Sequence, residues 1–389
     1  MQTPVAPPSP ARLPVVSVII PTWNGAKLLP HAIRSILAQE GAGELFEIEL
    51  IVIDDCSPDD TPDVVRQFPE VRYHRLPVNR GLSGARNAGL EHVTGDYIAY
   101  LDDDDLWLPY KLRMQVPLLE AHPEAGALFG QNIVSFRDRV TIWPDANTPS
   151  GRIFERLLMG NLVPVRTVLI RRAAHEEIGG FDTSLGSYEA NDLFLRLAFR
   201  YPFIFQPGPV AIYRRLDSGL YIGGIQEGKA ERDAAVVIEK ALALLPDDAA
   251  HAELRRKARA AVALGYAWEL WDVKLWERLA DQVVTIVGTW PGLAAGEWRG
   301  TISRMLVKCA TESADPVAAL AALEGRVATK DARLWGDAWS ALAAALAAAR
   351  PRRAGAAAAA MRRAVRHRPF LLRRRRTLAL LATPLRRPG

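Results

Sequence analysis

Cysteine is nearly absent from this chain of 389 residues: Cys56 and Cys309 are the only two. That is too few for a disulfide framework and points to a reducing, cytoplasmic compartment. No run approaches the roughly 18 uninterrupted apolar residues of a membrane-crossing helix. No basic segment leads into an apolar one at the N-terminus, so no secretory signal is expected either. Compositional bias is missing too. With 49% hydrophobic and 24% charged residues, a mostly disordered, collagen-like or fibrous chain is excluded. The length suggests about two to three domains.

Acidic residues are missing where arginine is densest. Residues 350–389 hold thirteen arginines and no Asp or Glu, so the overall charge of +5 hides a body, residues 1–349, at −8. The basicity is local.

The chain divides into four zones. Residues 1–14 carry five prolines and form a loose lead-in. Residues 15–224 hold the chemistry-bearing patterns, in a first half (15–122) of alternating strands and helices and a second half (123–224) of short apolar runs between Gly and Pro turns. Residues 225–349 are helical, rich in Ala and Leu, with Trp268, Trp271, Trp276, Trp290, Trp298, Trp335 and Trp339 expected as core anchors. Residues 350–389 form the basic tail. Alternation of strand and helix predicts an α/β fold with a mostly parallel sheet and covering helices.

Within the first half, continuous apolar runs predict buried strands at 15–20, 48–53, 71–75 and 96–101. Amphipathic helices are expected at 26–39 and 82–93, and another at Thr61 as N-cap with Pro62 behind it. Every polar cluster then falls just past the carboxyl end of a strand, the edge where open α/β sheets bind ligands.

Asp102, Asp103, Asp104 and Asp105 follow one such strand and precede Leu106-Trp107-Leu108. A solvated acidic loop is one reading. The other is a metal site: alternate positions of an extended segment point the same way, so Asp102 and Asp104 converge, and hard oxygen ligands suit Mg²⁺ or Mn²⁺ held jointly with phosphate. Asp54 and Asp55 either cap the next helix or accept a hydrogen bond from a nucleobase or ribose. Arg86 is either a surface helix residue or a guanidinium aimed at a diphosphate. His31, His74 and His92 lack ligand spacing, and Cys56 has no His partner that would make it a nucleophile.

In order along the chain, Val18-Ile19-Ile20-Pro21-Thr22-Trp23-Asn24, Val52-Ile53-Asp54-Asp55-Cys56-Ser57-Pro58, Asn79-Arg80-Gly81-Leu82-Ser83-Gly84-Ala85-Arg86-Asn87 and Gly95-Asp96-Tyr97 through Asp105 resemble the family 2 inverting glycosyltransferases. Ile178-Gly179-Gly180-Phe181-Asp182 and Asp192-Leu193-Phe194-Leu195-Arg196 continue the resemblance, which covers residues 15–216. It implies a GT-A fold followed by an α-helical C-terminal region. The implied activity is metal-dependent transfer of a sugar from a nucleoside diphosphate sugar, UDP-linked, to a glycan or lipid-linked acceptor in polysaccharide or cell-surface glycan synthesis. Carried onto this sequence, Pro21, Thr22, Trp23 and Asn24 line the base pocket and Asp54 or Asp55 holds the base. Arg86 approaches the diphosphate, Asp102 and Asp103 belong to the nucleotide-sugar site, and Asp102 and Asp104 form the Asp-x-Asp metal motif. Trp107 reads as core rather than as a sugar platform.

The sequence departs from the family where the general base is expected. The usual Glu-Asp-x-Asp-Leu-x-x-Arg is here Glu189-Ala190-Asn191-Asp192-Leu193-Phe194-Leu195-Arg196, and Ala190 accepts no proton. Asp192 and Arg196 stand at i and i+4, which suits a structural pair, although Asp192 stays in the catalytic set. Glu189 is left as the candidate base, and Glu189→Gln is expected to slow turnover by roughly 10²-fold with the melting temperature unchanged. A second departure is Tyr213-Arg214-Arg215-Leu216, where many members end in His.

Two alternatives stand beside the transferase. A sugar-phosphate nucleotidyltransferase would carry a Gly-rich loop after the first strand, which residues 21–27 lack. A catalytically degenerate scaffold is suggested by Ala190. The basic tail, with apolar residues flanking Arg373–Arg376, is either a solvated extension or a peripheral contact to an anionic inner membrane face. Nothing in the body supports nucleic-acid binding.

Overall fold

The computed structural model describes residues 12–136, 139–214, 220–290, 298–326, 331–349, 354–369 and 371. Two compact units divide the chain, residues 1–258 and residues 259–389. This division does not coincide with the expected boundaries at 224 and 349, because helices after residue 224 pack into the first unit and a helix after residue 349 packs into the second.

In the first unit the chain alternates β1 (Val15–Thr22), α1 (Leu29–Leu37), β2 (Glu47–Asp54), α2 (Thr61–Val65), β3 (Arg72–Arg75), α3 (Gly81–Leu90) and β4 (Tyr97–Tyr100). There follow β5 (Leu106–Trp107), α4 (Lys111–Glu120), the hairpin β6 (Ala127–Phe136) and β7 (Arg139–Trp143), α5 (Phe154–Leu158), β8 (Leu169–Arg171), α6 (Arg172–Ile178), α7 (Glu189–Arg200), β9 (Phe203–Arg214), α8 (Leu220–Gln226) and α9 (Lys229–Leu242). The four strands expected in the first half are all present. At α2 the expected cap is displaced by one residue: Asp60 precedes the helix, and Thr61, already helical, donates its hydroxyl to Asp59 at 2.6 Å.

The sheet runs β3-β2-β1-β4-β8-β6-β9-β5, with β7 beside β6. Its first four strands are parallel, as continuous burial of Val18, Ile19 and Ile20 in β1 and Ile51, Val52 and Ile53 in β2 requires. From β4 onward the sheet is mixed, because β8 joins β4 and β6 antiparallel and β5 joins β9 antiparallel, whereas β6 and β9 are parallel. Small residues bring α3 close to the sheet. A Cβ at Gly89 would lie 2.6 Å from Ile19 Cγ2, so glycine allows α3, which carries Arg86, to approach β1.

The second unit is helical. Helix α10 (Ala249–Asp272) contains the division point and is followed by α11 (Trp276–Thr289), α12 (Arg299–Thr311), α13 (Pro316–Arg326), α14 (Ala332–Ala349) and α15 (Ala354–His367). Trp335 and Trp339 are buried anchors as expected, whereas Trp268 is 40% exposed. Helix α15 falls within the sequence assigned to the basic tail, but Ala357, Ala358, Ala360 and Ala364 are fully buried. Its Arg363 lies 4.9 Å from the Trp339 ring centroid, and His367 meets Glu324 at 2.7 Å. The rest of the tail, including Arg373–Arg376, and most of the proline-rich lead-in lie outside the described residues. No helix among the described residues is long and apolar enough to cross a membrane.

Candidate active site

The parallel strands deliver their polar loops to one edge. Past β1, Thr22 is buried and Trp23 is 53% exposed, an aromatic ring left in solvent at the mouth of the site. Asn24 is left-handed (φ 58°), and its N–H is held by Ser57 Oγ at 3.0 Å. Thr22 Oγ1 donates to Asp103 Oδ2 at 2.5 Å. A Cβ at Gly25 would fall 2.2 Å from Thr22 Oγ1 and 2.3 Å from Asp103 Oδ2, so only glycine fits between the loops.

The paired acids after β2 have different surroundings. Asp54 is fully buried and its oxygens are taken by the Ser57 N–H at 2.7 Å and the Tyr73 hydroxyl at 2.5 Å, with Arg75 at 3.7 Å. It ties the loop to β3. Asp55 accepts the Arg80 N–H at 2.7 Å while burial pushes its carboxyl above the usual range. Of the two, Asp55 ties its loop to the one that leads into α3.

The four aspartates after β4 separate into distinct roles. Asp105 is fully buried, accepts from Arg166 Nε, and receives the Arg214 N–H at 3.1 Å. Burial pushes Asp104 up to about 7, aided by Asp105, Asp102 and Asp103; burial likewise raises Asp103 to about 6. Asp102 differs: burial opposes its charge, but the guanidiniums of Arg86 and Arg166 outweigh it and hold its carboxyl below the usual range.

Arg86, expected at a diphosphate, is 1% exposed and already committed. Its Nη2 donates to Asp102 Oδ1 at 2.7 Å and its Nη1 to Glu189 Oε1 at 2.6 Å, and only its buried Nε lacks a partner. The guanidinium thus bridges two carboxylates instead of reaching out for phosphate. The Phe181 ring lies 5.2 Å from it, and Asn87 holds the Phe181 backbone N–H and C=O at 2.8 and 2.9 Å.

Glu189 opens α7, and its Oε1 is held by Arg86. Asp192 is 2% exposed, with Oδ2 on Arg196 at 2.9 Å and Oδ1 on Lys240 at 2.6 Å. Both oxygens are thus engaged by cations, which agrees with the structural pair expected with Arg196. Trp107 is core, 3% exposed, with its indole N–H on the Arg166 carbonyl at 2.8 Å.

Sequence reading missed Arg166. Its guanidinium holds Asp105, donates to Asn132 at 2.9 Å and lies 3.9 Å from the Tyr213 ring centroid. A lone arginine after Pro164 carries no spacing signal; only the fold brings it under the acidic loop.

No group of three or more His, Cys, Asp or Glu among the described residues is arranged as a metal cage. The donor set suits a cation completed by phosphate oxygens: Asp104 carries no side-chain hydrogen bond among the described residues, and Arg86 takes only Oδ1 of Asp102.

Residues 17–179 match the family model described as Glycosyl transferase family 2. The succinoglycan biosynthesis protein ExoO of Rhizobium meliloti is 38% identical over 135 residues, covering 34% of this chain and 38% of ExoO. The putative teichuronic acid biosynthesis glycosyltransferase TuaG of Bacillus subtilis is 31% identical over 163 residues, 41% of this chain and 63% of TuaG. The chain therefore spans less than two thirds of the length of either relative. Among solved structures, S. aureus TarS 1-349 superposes with a TM-score of 0.53 at 15% identity, covering 80% of this chain and 87% of that one. The mannosyltransferase PcManGT from Pyrobaculum calidifontis, in complex with GDP-Man and Mn²⁺, gives 0.52 at 20% identity, covering 82% and 88%. At these identities the likeness is one of fold, and that fold is GT-A.

Proposed function

Because residues 17–179 match the family 2 glycosyltransferase model, we propose that this chain moves a sugar, with inversion, from a nucleoside diphosphate sugar to a glycan or lipid-linked acceptor in cell-surface polysaccharide synthesis. The observation that carries the reading is the Arg86 bridge, which sets the acidic loop and Glu189 on either side of one guanidinium.

Trp23, exposed at the end of β1, stacks on the base, and Asp55 hydrogen-bonds its edge, since Asp54 has no oxygen to spare. UDP is the favoured donor nucleotide. Asp102 and Asp104 hold Mg²⁺ or Mn²⁺, which when bound supplies Lewis acidity to a departing diphosphate. Asp103, anchored by Thr22, keeps the loop in register with the base pocket. Arg86 orients both Asp102 and Glu189. An inverting attack comes from the face opposite the leaving group, so the acceptor hydroxyl gives its proton to Glu189 Oε2, the oxygen not taken by Arg86. The arginines beyond residue 371 contact an anionic membrane surface on its cytoplasmic side.

The test is nucleotide release. The purified full chain with Mn²⁺ is offered UDP-GlcNAc and GDP-mannose among a panel of donors, and metal-dependent release of the diphosphate is expected from at least one. Ala190 favours one second reading, a scaffold without turnover. Binding of nucleotide with neither release in water nor transfer to any of a panel of sugar and polyprenyl-linked acceptors would overturn the transferase in favour of that scaffold.

A further inference from the structure

Helix α9 lies beyond the residues that match the family model, yet two of its side chains reach the segment that opens α7. Asp233 Oδ2 accepts the N–H groups of Gly186 at 2.9 Å and Ser187 at 2.8 Å. The next residue, Tyr188, is left-handed (φ 60°, ψ 12°), a conformation that a non-glycine residue adopts only under constraint from its surroundings. Helix α7 starts immediately after it, at Glu189, with no side-chain cap of its own. The turn that aims Glu189 is therefore held from outside its own sequence, by a carboxylate 47 residues away. Helix α8 closes over the same turn: a Cβ at Gly224 would stand 3.0 Å from Ser187 Oγ.

Lys240, two turns further along α9, joins the other side of the cage. Its Nζ lies 2.6 Å from Asp182 Oδ2 and 2.6 Å from Asp192 Oδ1. Asp182 follows Phe181, the residue packed against the Arg86 guanidinium, and Asp192 lies one turn into α7 from Glu189. One ammonium thus ties the loop beside Arg86 to the helix that carries Glu189.

We propose that Asp233 and Lys240 are positioning residues of the acceptor half, and that α9 sets the direction of Glu189 toward the Arg86 bridge. The inference rests on the transferase reading for its consequence in turnover, but the clamp itself is a structural claim with its own readout. Two charge-assisted bonds converge on adjacent amides, and their loss loosens the turn that leads into α7.

The experiment compares the full chain with Asp233→Ala and Asp233→Asn, the latter keeping an oxygen that can accept both bonds. Hydrogen exchange at Gly186 and Ser187 is expected to speed up about tenfold or more in Asp233→Ala and to stay near the parental rate in Asp233→Asn. Release of UDP from UDP-GlcNAc, or of GDP from GDP-mannose, should fall about tenfold in kcat for Asp233→Ala, with Kd for the nucleotide in Mn²⁺ changed less than about twofold and recovery in Asp233→Asn. Lys240→Met should act in the same direction, and Lys240→Arg should restore it. Unchanged exchange in Asp233→Ala overturns the clamp. Faster exchange with parental kcat, or an Asn variant no better than Ala, overturns the positioning role. If the parent neither releases nucleotide from any donor nor transfers sugar to any acceptor, the transferase reading falls, and the exchange rates alone retain or overturn the clamp.

Discussion

Arg86 Nη1 stands 2.6 Å from Glu189 Oε1, across 103 residues of sequence. With Arg86 1% exposed and Asp102 as its other partner, the guanidinium has two counter-charges and almost no water. Glu189 therefore neutralises a buried cation with one oxygen, and under the proposed function it has a second duty, presenting the other to an acceptor.

That double duty changes what Glu189→Gln should do. The amide oxygen still accepts from Arg86, but the anion is gone, so turnover falls by roughly 10²-fold. Donor affinity stays within about twofold. The melting temperature, expected from sequence to be unaffected, should instead drop by about 2–6 °C, because a buried guanidinium loses one of two charged partners at a cost of roughly 1–2 kcal/mol. Steady-state kinetics and a thermal melt on the same preparation check both. Parental turnover would remove Glu189 as the base.

What sequence could read here was what local pattern controls. Val15–Thr22 and Glu47–Asp54 were legible because strands buried on both faces are continuously apolar, and the loops after them were legible because a sheet edge collects polar residues. The Asp192–Arg196 pair followed from helical spacing. The joining of Arg86 to Glu189, of Arg166 to Asp105 and of Lys240 to Asp192 was not legible, since each couples residues 48 to 103 apart that no periodicity relates. Short β8, three residues long, gave no strand signal, so the antiparallel joins past β4 were missed as well. The basic tail misled by composition: arginine counts do not reveal that Arg363 and Arg368 are spent on Trp339 and Asp337.

Binding of UDP should require a divalent ion and should weaken with acid. Asp104 ionises only near pH 7, because burial and then Asp105, Asp102 and Asp103 oppose its charge. A metal ligand must be ionised, so protons compete with Mn²⁺, and Mn²⁺-dependent affinity should be about tenfold lower at pH 6 than at pH 8. Asp104→Asn should abolish the metal dependence. Calorimetry of UDP with Mn²⁺ and with EDTA decides it; equal affinity in EDTA would sink the metal site.

His175 should make the fold acid-sensitive. It is 2% exposed, its Nε2 lies 2.7 Å from the Tyr100 hydroxyl, and burial lowers its pKa to about 4, with Arg196 acting in the same direction. A histidine depressed in the folded state contributes stability that is present above its unfolded pKa of about 6.5 and is lost as pH falls toward 4. Between pH 7 and pH 4.5 that loss is roughly 2–3 kcal/mol. Urea unfolding at the two pH values should show a drop that is smaller by about this amount in His175→Gln. An identical drop in parent and variant would clear His175 of the effect.

The last expectation concerns where a truncation must fall. Removing everything from Arg350 would also remove α15, whose alanines are buried and whose His367 meets Glu324 at 2.7 Å, so lost vesicle binding and lost folding could not be told apart. Stopping after Leu371 removes Arg373–Arg376, Arg386 and Arg387 and leaves the packed helix intact. If those six cations contact an anionic surface, each contributes about 1 kcal/mol and the attraction is screened over a Debye length of about 10 Å at 0.1 M salt. The full chain should therefore sediment with phosphatidylserine-containing vesicles at low salt and largely release at 0.5 M, whereas the shortened chain should stay in the supernatant at both, with the same melting temperature as its parent. Sedimentation of the shortened chain at the parental level would move the membrane contact out of the tail altogether.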